Sequence, residues 1–148
     1  MSHILLDTNV LSELMRAQPA TEVLEWFARQ IKHTFFISSI TQAEILLGIA
    51  LLPAGRRKDA LANAAEKMLA EEFAGYTLAF DEHSAAEYAD IVASRTRDGH
   101  PISTEDAQIA AIARAQALPL ATRNIKDFAG IAGLSVLNPW ENVDGKRL

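Results

Sequence analysis

Short apolar runs alternate along the chain with longer segments in which apolar residues recur at helical spacing. The runs predict buried strands at residues 3–6, 34–37, 76–80 and 118–122. A fifth run, at 135–137, leaves the number of strands at four or five. The intervening segments predict helices over 8–16, 19–31, 39–52, 56–73, 82–97 and 103–117. Strands separated by helices need right-handed crossovers, so the pattern predicts an α/β fold with a mostly parallel sheet and helices on both faces.

Length and composition fit one globular domain over residues 1–148. Hydrophobic residues make up 49% of the chain and charged residues 22%, which is enough apolar material for a sizeable core. The chain has no cysteine, which excludes disulfides, thiolate zinc sites and a cysteine nucleophile, and fits a reducing cytoplasm. No signal-peptide pattern precedes the first strand and no apolar run nears the roughly 20 residues that span a membrane. We therefore expect a cytoplasmic protein without a membrane partner.

The formal net charge of −5 argues mildly against a protein that coats nucleic acid electrostatically. An enzyme that gathers carboxylates around divalent cations is a different case, because the cations reverse the local field. The net charge therefore argues slightly against a nuclease function without excluding it.

Three acidic residues lie near the ends of predicted elements, and each has a purely structural explanation. Asp7 follows the first strand, where aspartate is a favoured helix N-cap. Asp106 comes three residues after Ser103, as in a variant capping box. Asp127 is equally consistent with a solvated loop residue.

Glu44 is harder to explain structurally. It belongs to a helix for which Ser38 and Ser39 offer an N-cap, and the stretch 43–49 is apolar nearly all round, which predicts a buried element. An ionised carboxylate there costs several kcal/mol unless something compensates it. A narrow solvent-facing stripe is the structural alternative.

The predicted topology brings these four acids to one rim of the sheet, where open parallel sheets bind ligands. Asp7 and Asp127 each follow a strand, and Glu44 lies in the helix after the second strand. Asp106 is in the first turn of the helix that runs back to the fourth strand. Clustered carboxylates have raised pKa values unless cations lie among them. Oxygen ligands without histidine or cysteine favour Mg²⁺ or Mn²⁺, which can activate water for phosphodiester hydrolysis.

Five short motifs follow one another in a recognisable order: Leu5-Leu6-Asp7-Thr8-Asn9; Ser38-Ser39-Ile40 with Glu44; Pro101-Ile102 with Asp106-Ala107-Gln108-Ile109-Ala110-Ala111; Ala121-Thr122-Arg123-Asn124 with Asp127-Phe128; and Asn138-Pro139-Trp140. Each motif alone is weak. The ordered set, which covers nearly the whole chain, resembles the PIN-domain ribonucleases and, within them, the VapC and FitB toxins of type II toxin–antitoxin pairs.

The resemblance implies a PIN-like three-layer domain in which Asp7, Glu44 and Asp106 bind Mg²⁺ or Mn²⁺. It implies a metal-dependent endoribonuclease toxin that cuts structured RNA, often transfer or ribosomal RNA, with Asp127 joining those three acids in the catalytic set. It also implies a small DNA-binding antitoxin whose tail reaches the active site. The expected assembly is a homodimer or a toxin–antitoxin hetero-oligomer.

Four polar residues beside the acids are candidates for substrate binding. Thr8 and Asn9 match polar positions beside the first acid, where capping explains them as well. Arg123 is either a phosphate contact or a solvated arginine. Many relatives carry an aspartate two residues after the strand-ending threonine, where this chain has Asn124. We expect Asp127, which resembles the FitB-like variant, to be the fourth acid, with Asn124 as its competitor.

Two rival functions fit parts of the pattern. A phosphotransferase or receiver domain with a nucleophilic aspartate needs a second acid close to Asp7, and the chain has none there. A catalytically degenerate PIN-type binding module, acting mainly through its antitoxin partner and DNA, is opposed by the retention of every central acid. The four histidines lack the i, i+4 spacing of a helical metal site.

Overall fold

The computed structural model describes residues 2–141; Met1 and residues 142–148, which the predicted domain also includes, lie outside the described range. The strands are β1 (Ser2–Leu6), β2 (His33–Ser38), β3 (Thr77–Leu78), β4 (Leu120–Ala121) and β5 (Val136–Leu137). They form one five-stranded sheet in the order β3-β2-β1-β4-β5, and all four pairings are parallel. The predicted α/β class is confirmed, with five strands.

Seven α-helices connect these strands within the described residues: α1 (Thr8–Leu14), α2 (Thr21–Arg29), α3 (Ser39–Ala50), α4 (Arg56–Lys67), α5 (Glu82–Arg97), α6 (Thr104–Ala115) and α7 (Ile125–Phe128). A π-helical turn, Met68–Glu72, continues α4. None of the helices in residues 2–141 is long and apolar enough to cross a membrane.

The central strand β1 supplies side chains to two separate cores. Ile4 and Leu6 belong to a cluster that also contains buried residues of α1, α2 and α3. Leu5 belongs to a second cluster, formed with α5, α6 and α7. All three side chains are 1% exposed or less, because successive residues of a strand point to opposite faces. Helices therefore cover both faces, and the predicted three-layer arrangement is confirmed.

Serine caps fix where the helices that carry two of the acids begin. Ser38 Oγ accepts a hydrogen bond from the backbone N–H of Thr41 at 3.0 Å, and Ser103 Oγ accepts one from the backbone N–H of Asp106 at 3.2 Å. These bonds satisfy first-turn donors that have no partner within the helix. They define the starts of α3 and α6, and hence the positions of Glu44 and Asp106.

Several elements differ from the sequence-based prediction. The strands predicted over 76–80 and 118–122 are reduced to Thr77–Leu78 and Leu120–Ala121. The helix α7 was not predicted, because its four residues are too few to show a periodicity. Its Phe128, which is 1% exposed, anchors it in the second core.

The prediction that the helix around Glu44 is buried all round is wrong for this chain in isolation. Thr41 and Ile45 are the residues of α3 that are buried. Leu46, Leu47 and Leu51 are 47%, 59% and 75% exposed. Apolar side chains lie on all sides of α3. Only one side of the helix is packed inside the protein, so the apolar side chains on the other sides are exposed to solvent.

Candidate active site

Asp7 lies directly after the central strand, at the carboxyl edge of the sheet. Its side chain accepts three hydrogen bonds: from the backbone N–H of Thr8 at 2.8 Å, from Thr122 Oγ1 at 2.7 Å and from Asn9 Nδ2 at 3.2 Å. The residue is only 3% exposed. Asp7 does cap α1, as the structural alternative held. The other two bonds tie its carboxylate to Thr122, directly after β4, and to the side chain of Asn9.

Burial raises the pKa of Asp7 to about 6. The hydrogen bonds from Thr122 and Thr8 oppose this shift, and the negative charges of Asp106 and Glu44 add to it. A buried carboxylate with acidic neighbours is stabilised in its charged form by a nearby cation. The environment of Asp7 therefore fits a cation ligand.

Glu44 is half-buried and is held by a chain of hydroxyl groups. Thr8 Oγ1 donates to Glu44 Oε1 at 2.7 Å, and the oxygen of the Thr41 hydroxyl lies 2.9 Å from Thr8 Oγ1. The single proton of Thr8 is used on Glu44, so Thr41 is the donor to Thr8. Thr41 is fully buried, and it thereby fixes Thr8 and, through Thr8, Glu44.

Asp106 lies in the first turn of α6 and is half-buried. Its pKa is raised, first by burial and then by the charges of Asp127 and Glu44, against the hydrogen bond from Ser103. Glu44 thus acts electrostatically on both Asp7 and Asp106, and Asp127 acts on Asp106. These interactions couple the four acids electrostatically, and their joint action as one site stays a prediction.

The acids do not form a ready-made coordination shell. Among residues 2–141, no group of three or more acidic or histidine side chains is arranged to hold a metal ion. The donors are nevertheless all oxygen atoms, which fits Mg²⁺ or Mn²⁺ rather than zinc. The metal-binding role of Asp7, Glu44 and Asp106 therefore stays a prediction.

Asn9, in the first turn of α1, and Thr122, directly after β4, connect the segments that follow β1 and β4. Asn9 Nδ2 donates to Thr122 Oγ1 at 3.1 Å, and Asn9 Oδ1 accepts from the backbone N–H of Arg123 at 3.1 Å. The backbone N–H of Asn124 donates to Thr122 Oγ1 at 3.0 Å. Asn9 thus holds the segment after β4 against Asp7, a contact that sequence spacing did not reveal.

The remaining candidates for substrate binding and catalysis are exposed. Arg123, Asn124 and Asp127 all lie at the surface beside Thr122. The guanidinium carbon of Arg123 lies 4.9 Å from the centre of the Trp140 ring. Asp127 is on α7 rather than in a loop, and its backbone carbonyl accepts from Arg95 Nη1 at 3.1 Å.

Three residues at the site were not predicted to have a role: Thr41, Thr122 and Trp140. Thr41 and Thr122 are both fully buried polar residues, and a buried hydroxyl is the feature that marks them. Their burial follows from tertiary packing, so the sequence alone did not show it. Trp140 was part of the family motif, but its contact with Arg123 depends on how β5 is placed beside β4.

The family model described as "PIN domain" matches residues 4–134. Three relatives are similar over nearly their full length. The plasmid stability protein StbB of Pseudomonas syringae is 46% identical over 93% of this chain and 99% of its own. The VapC ribonuclease Y4jK of Sinorhizobium fredii is 41% identical over 93% and 98%, and the toxin FitB of Neisseria gonorrhoeae is 42% identical over 94% and 99%.

A solved structure shows the same fold. The structure of FitAB bound to an IR36 DNA fragment contains a chain with a TM-score of 0.83 and 41% identity, and the match covers 93% of this chain and 96% of that one. The chain therefore belongs to the PIN-domain family, and its predicted similarity to the VapC and FitB proteins is confirmed.

Proposed function

We propose that this protein is a metal-dependent endoribonuclease that acts as the toxin of a type II toxin–antitoxin pair. The observation that carries the proposal is Asp7: a nearly fully buried carboxylate at the end of the central strand, with a raised pKa and two acidic neighbours. Such a group is costly in an ordinary fold but well suited to bind a cation. The relatives named VapC ribonuclease and toxin FitB support the activity and the biological role.

In this proposal Asp7, Glu44 and Asp106 hold Mg²⁺ or Mn²⁺ through carboxylate oxygens. The bound ion would supply Lewis-acid activation of water and stabilisation of charge on the phosphate. The protein's own contribution is positioning, since Thr122 and Asn9 fix the carboxylate of Asp7. This preorganisation avoids an energetic cost when the substrate binds.

The surface residues beside β4 would bind the RNA. Arg123 is suited to a phosphate oxygen, because guanidinium groups bind phosphate through paired N–H donors. Asp127 would support Asp106, to which it is electrostatically coupled, or a second metal. Asn124 would position the RNA or a water molecule. Asn9 would orient Asp7 and Thr8 would orient Glu44, or both would contact the substrate.

We also propose a homodimer and a DNA-binding antitoxin partner in the cytoplasm. The solved relative is a FitAB assembly on DNA, and other similar structures are VapBC assemblies. The exposed leucines of α3 provide an apolar surface that a second protein chain would cover. Exposed apolar residues that form one contiguous face are typical of association sites.

The alternative is a catalytically degenerate PIN module that binds its antitoxin without cutting RNA. The observation in its favour is that the acids within residues 2–141 are not arranged as a complete set of metal ligands. RNA cleavage by the purified chain distinguishes the two functions.

The test is cleavage of a transfer RNA by protein freed of any antitoxin. We expect cleavage in Mg²⁺ or Mn²⁺, its loss in EDTA, and a loss of at least about 100-fold in Asp7→Asn, as is typical when a catalytic electrostatic group is removed. Asp59→Asn is the matched control, because Asp59 is an exposed acid in the first turn of α4. Cleavage that persists in EDTA, or full activity in Asp7→Asn, would overturn the mechanism.

A further inference from the structure

We propose that Trp140 is a positioning residue that holds the guanidinium of Arg123 beside the acidic site, where it binds an RNA phosphate. This inference rests on the proposed ribonuclease function and assigns to Trp140 a role that its burial in the first core does not require. The observations that carry it are the stacking geometry, the anchoring of both residues and the unpaired state of the guanidinium.

The stacking geometry is that of a cation–π contact. The Arg123 guanidinium carbon lies 4.9 Å from the centre of the Trp140 ring, within the range of about 6 Å for such contacts. Trp140 is only 4% exposed and packs in the first core, so its ring is a fixed surface for the guanidinium. A guanidinium stacked by its face keeps its N–H edges available for a ligand.

Both residues are anchored through their backbones. The backbone N–H of Trp140 donates to Asn138 Oδ1 at 2.9 Å, directly after the edge strand β5. The backbone N–H of Arg123 donates to Asn9 Oδ1 at 3.1 Å, and Asn9 in turn donates to Asp7. The backbone of Arg123 is therefore tied to Asp7 through Asn9, and its guanidinium lies over the ring of the anchored Trp140.

The guanidinium of Arg123 has no other partner in residues 2–141: it forms no ion pair and donates no hydrogen bond there. The guanidinium of Arg114, in contrast, donates from Nη2 to Glu87 Oε2 at 3.0 Å and to Asp90 Oδ2 at 2.6 Å. Arg123, which lies over Trp140 and forms no ion pair within residues 2–141, stays available for an anionic ligand. A phosphate of the bound RNA is the anion that this site would encounter.

A double-mutant cycle tests the inference. The probe is a fluorescein-labelled RNA hairpin, bound by the full chain carrying Asp7→Asn so that it is not cleaved, and the dissociation constant is measured by anisotropy. Arg123→Ala should weaken binding about tenfold, as expected for a charge-assisted phosphate contact. Trp140→Leu should weaken it about two- to fivefold, which corresponds to a cation–π contact at an exposed site. Trp140→Phe, which keeps an aromatic face, should restore most of that loss.

The decisive comparison is Trp140→Leu in the Arg123→Ala chain, where no further loss should occur because the group it positions is absent. An equal loss in both chains, or no loss in either, overturns the inference and leaves Trp140 with a structural role alone. Thermal melting shows whether the Trp140→Leu chain folds. If it does not fold, Trp140→Met replaces it in the same comparison.

Two further measurements separate this inference from the proposed function. Ring-current shifts of the Arg123 side-chain protons, seen by NMR without RNA, should disappear in Trp140→Leu, and their absence in the parent chain overturns the stacking geometry. A parent that neither binds nor cleaves RNA overturns the ribonuclease proposal and this inference together. Additive losses in a parent that does bind RNA overturn the inference alone.

Discussion

At the scale of single residues, Asp7 combines two roles that sequence reasoning treated as alternatives. It caps α1 through the backbone N–H of Thr8, and it also accepts hydrogen bonds from Thr122 and Asn9. Capping alone does not require a carboxylate that is only 3% exposed. The burial of Asp7 therefore has a cost, which a bound cation would offset.

This cost predicts a specific pH dependence of stability for the metal-free protein. The pKa of Asp7 is raised from 3.8 to about 6 in the folded chain, so the native state binds more protons than the unfolded state between these values. Its contribution to stability therefore falls as the pH rises through that window and stays low above it. Asp7→Asn removes the ionisable group, and it should stabilise the metal-free protein at neutral pH by about 3 kcal/mol.

Urea unfolding in EDTA at several pH values measures this difference. The stability gap between Asp7→Asn and the parent should widen from about pH 4 to about pH 6 and then remain constant. Asp59→Asn, at an exposed acid, should show no such widening. A gap that does not change with pH would mean that Asp7 titrates normally.

The sequence indicated the candidate acids but not the groups that hold them. Asp7, Glu44 and Asp106 follow from topology, because strand ends and helix starts are readable from the hydrophobic pattern. Thr41 and Thr122 act through contacts between residues far apart in the chain. Thr122, for example, donates to Asp7 across 115 positions, which no local pattern shows.

At the scale of secondary structure, the ends of the helices were more predictable than their exposure. Ser38 and Ser103 carry recognisable capping chemistry, and both caps are present. The exposure of α3 was mispredicted, because a helix that is apolar on all sides predicts burial. The sequence does not show whether the chain's own residues or a partner protein would cover those sides. The short helix α7 has too few residues to produce a periodic signal.

The cap of α3 gives a prediction with a matched control. Ser38→Ala removes the bond to the backbone N–H of Thr41 and should lower the free energy of unfolding by about 1 kcal/mol. Ser39→Ala is the control, since Ser39 is the next residue and its side chain forms no hydrogen bond within residues 2–141. Denaturant unfolding measures both, and equal losses would contradict the cap's role.

At the scale of the whole molecule, the unpaired apolar face of α3 predicts association. Leu47→Lys combined with Leu51→Lys places two charges on residues that are 59% and 75% exposed, so the fold of the single chain should be retained. We expect the parent to be a dimer and this variant a monomer, because buried charges without partners oppose association. Light scattering coupled to size-exclusion chromatography measures the mass.

Ile31→Lys is the matched control for that experiment, since Ile31 is 84% exposed and lies outside α3. It should leave the dimer intact. A parent that is monomeric, or a dimer unaffected by the α3 charges, would show that this face has another use.

Asp7 is the central ligand of the proposed cation site, and a titration with Mn²⁺ tests this assignment most directly. Calorimetry at pH 6 in buffers of different ionisation enthalpy measures both the affinity and the protons released. We predict that the parent binds Mn²⁺ with release of protons, about half a proton coming from Asp7, whose pKa is about 6. Asp7→Asn should lose both signals. Equal Mn²⁺ binding by the parent and by Asp7→Asn would contradict the account.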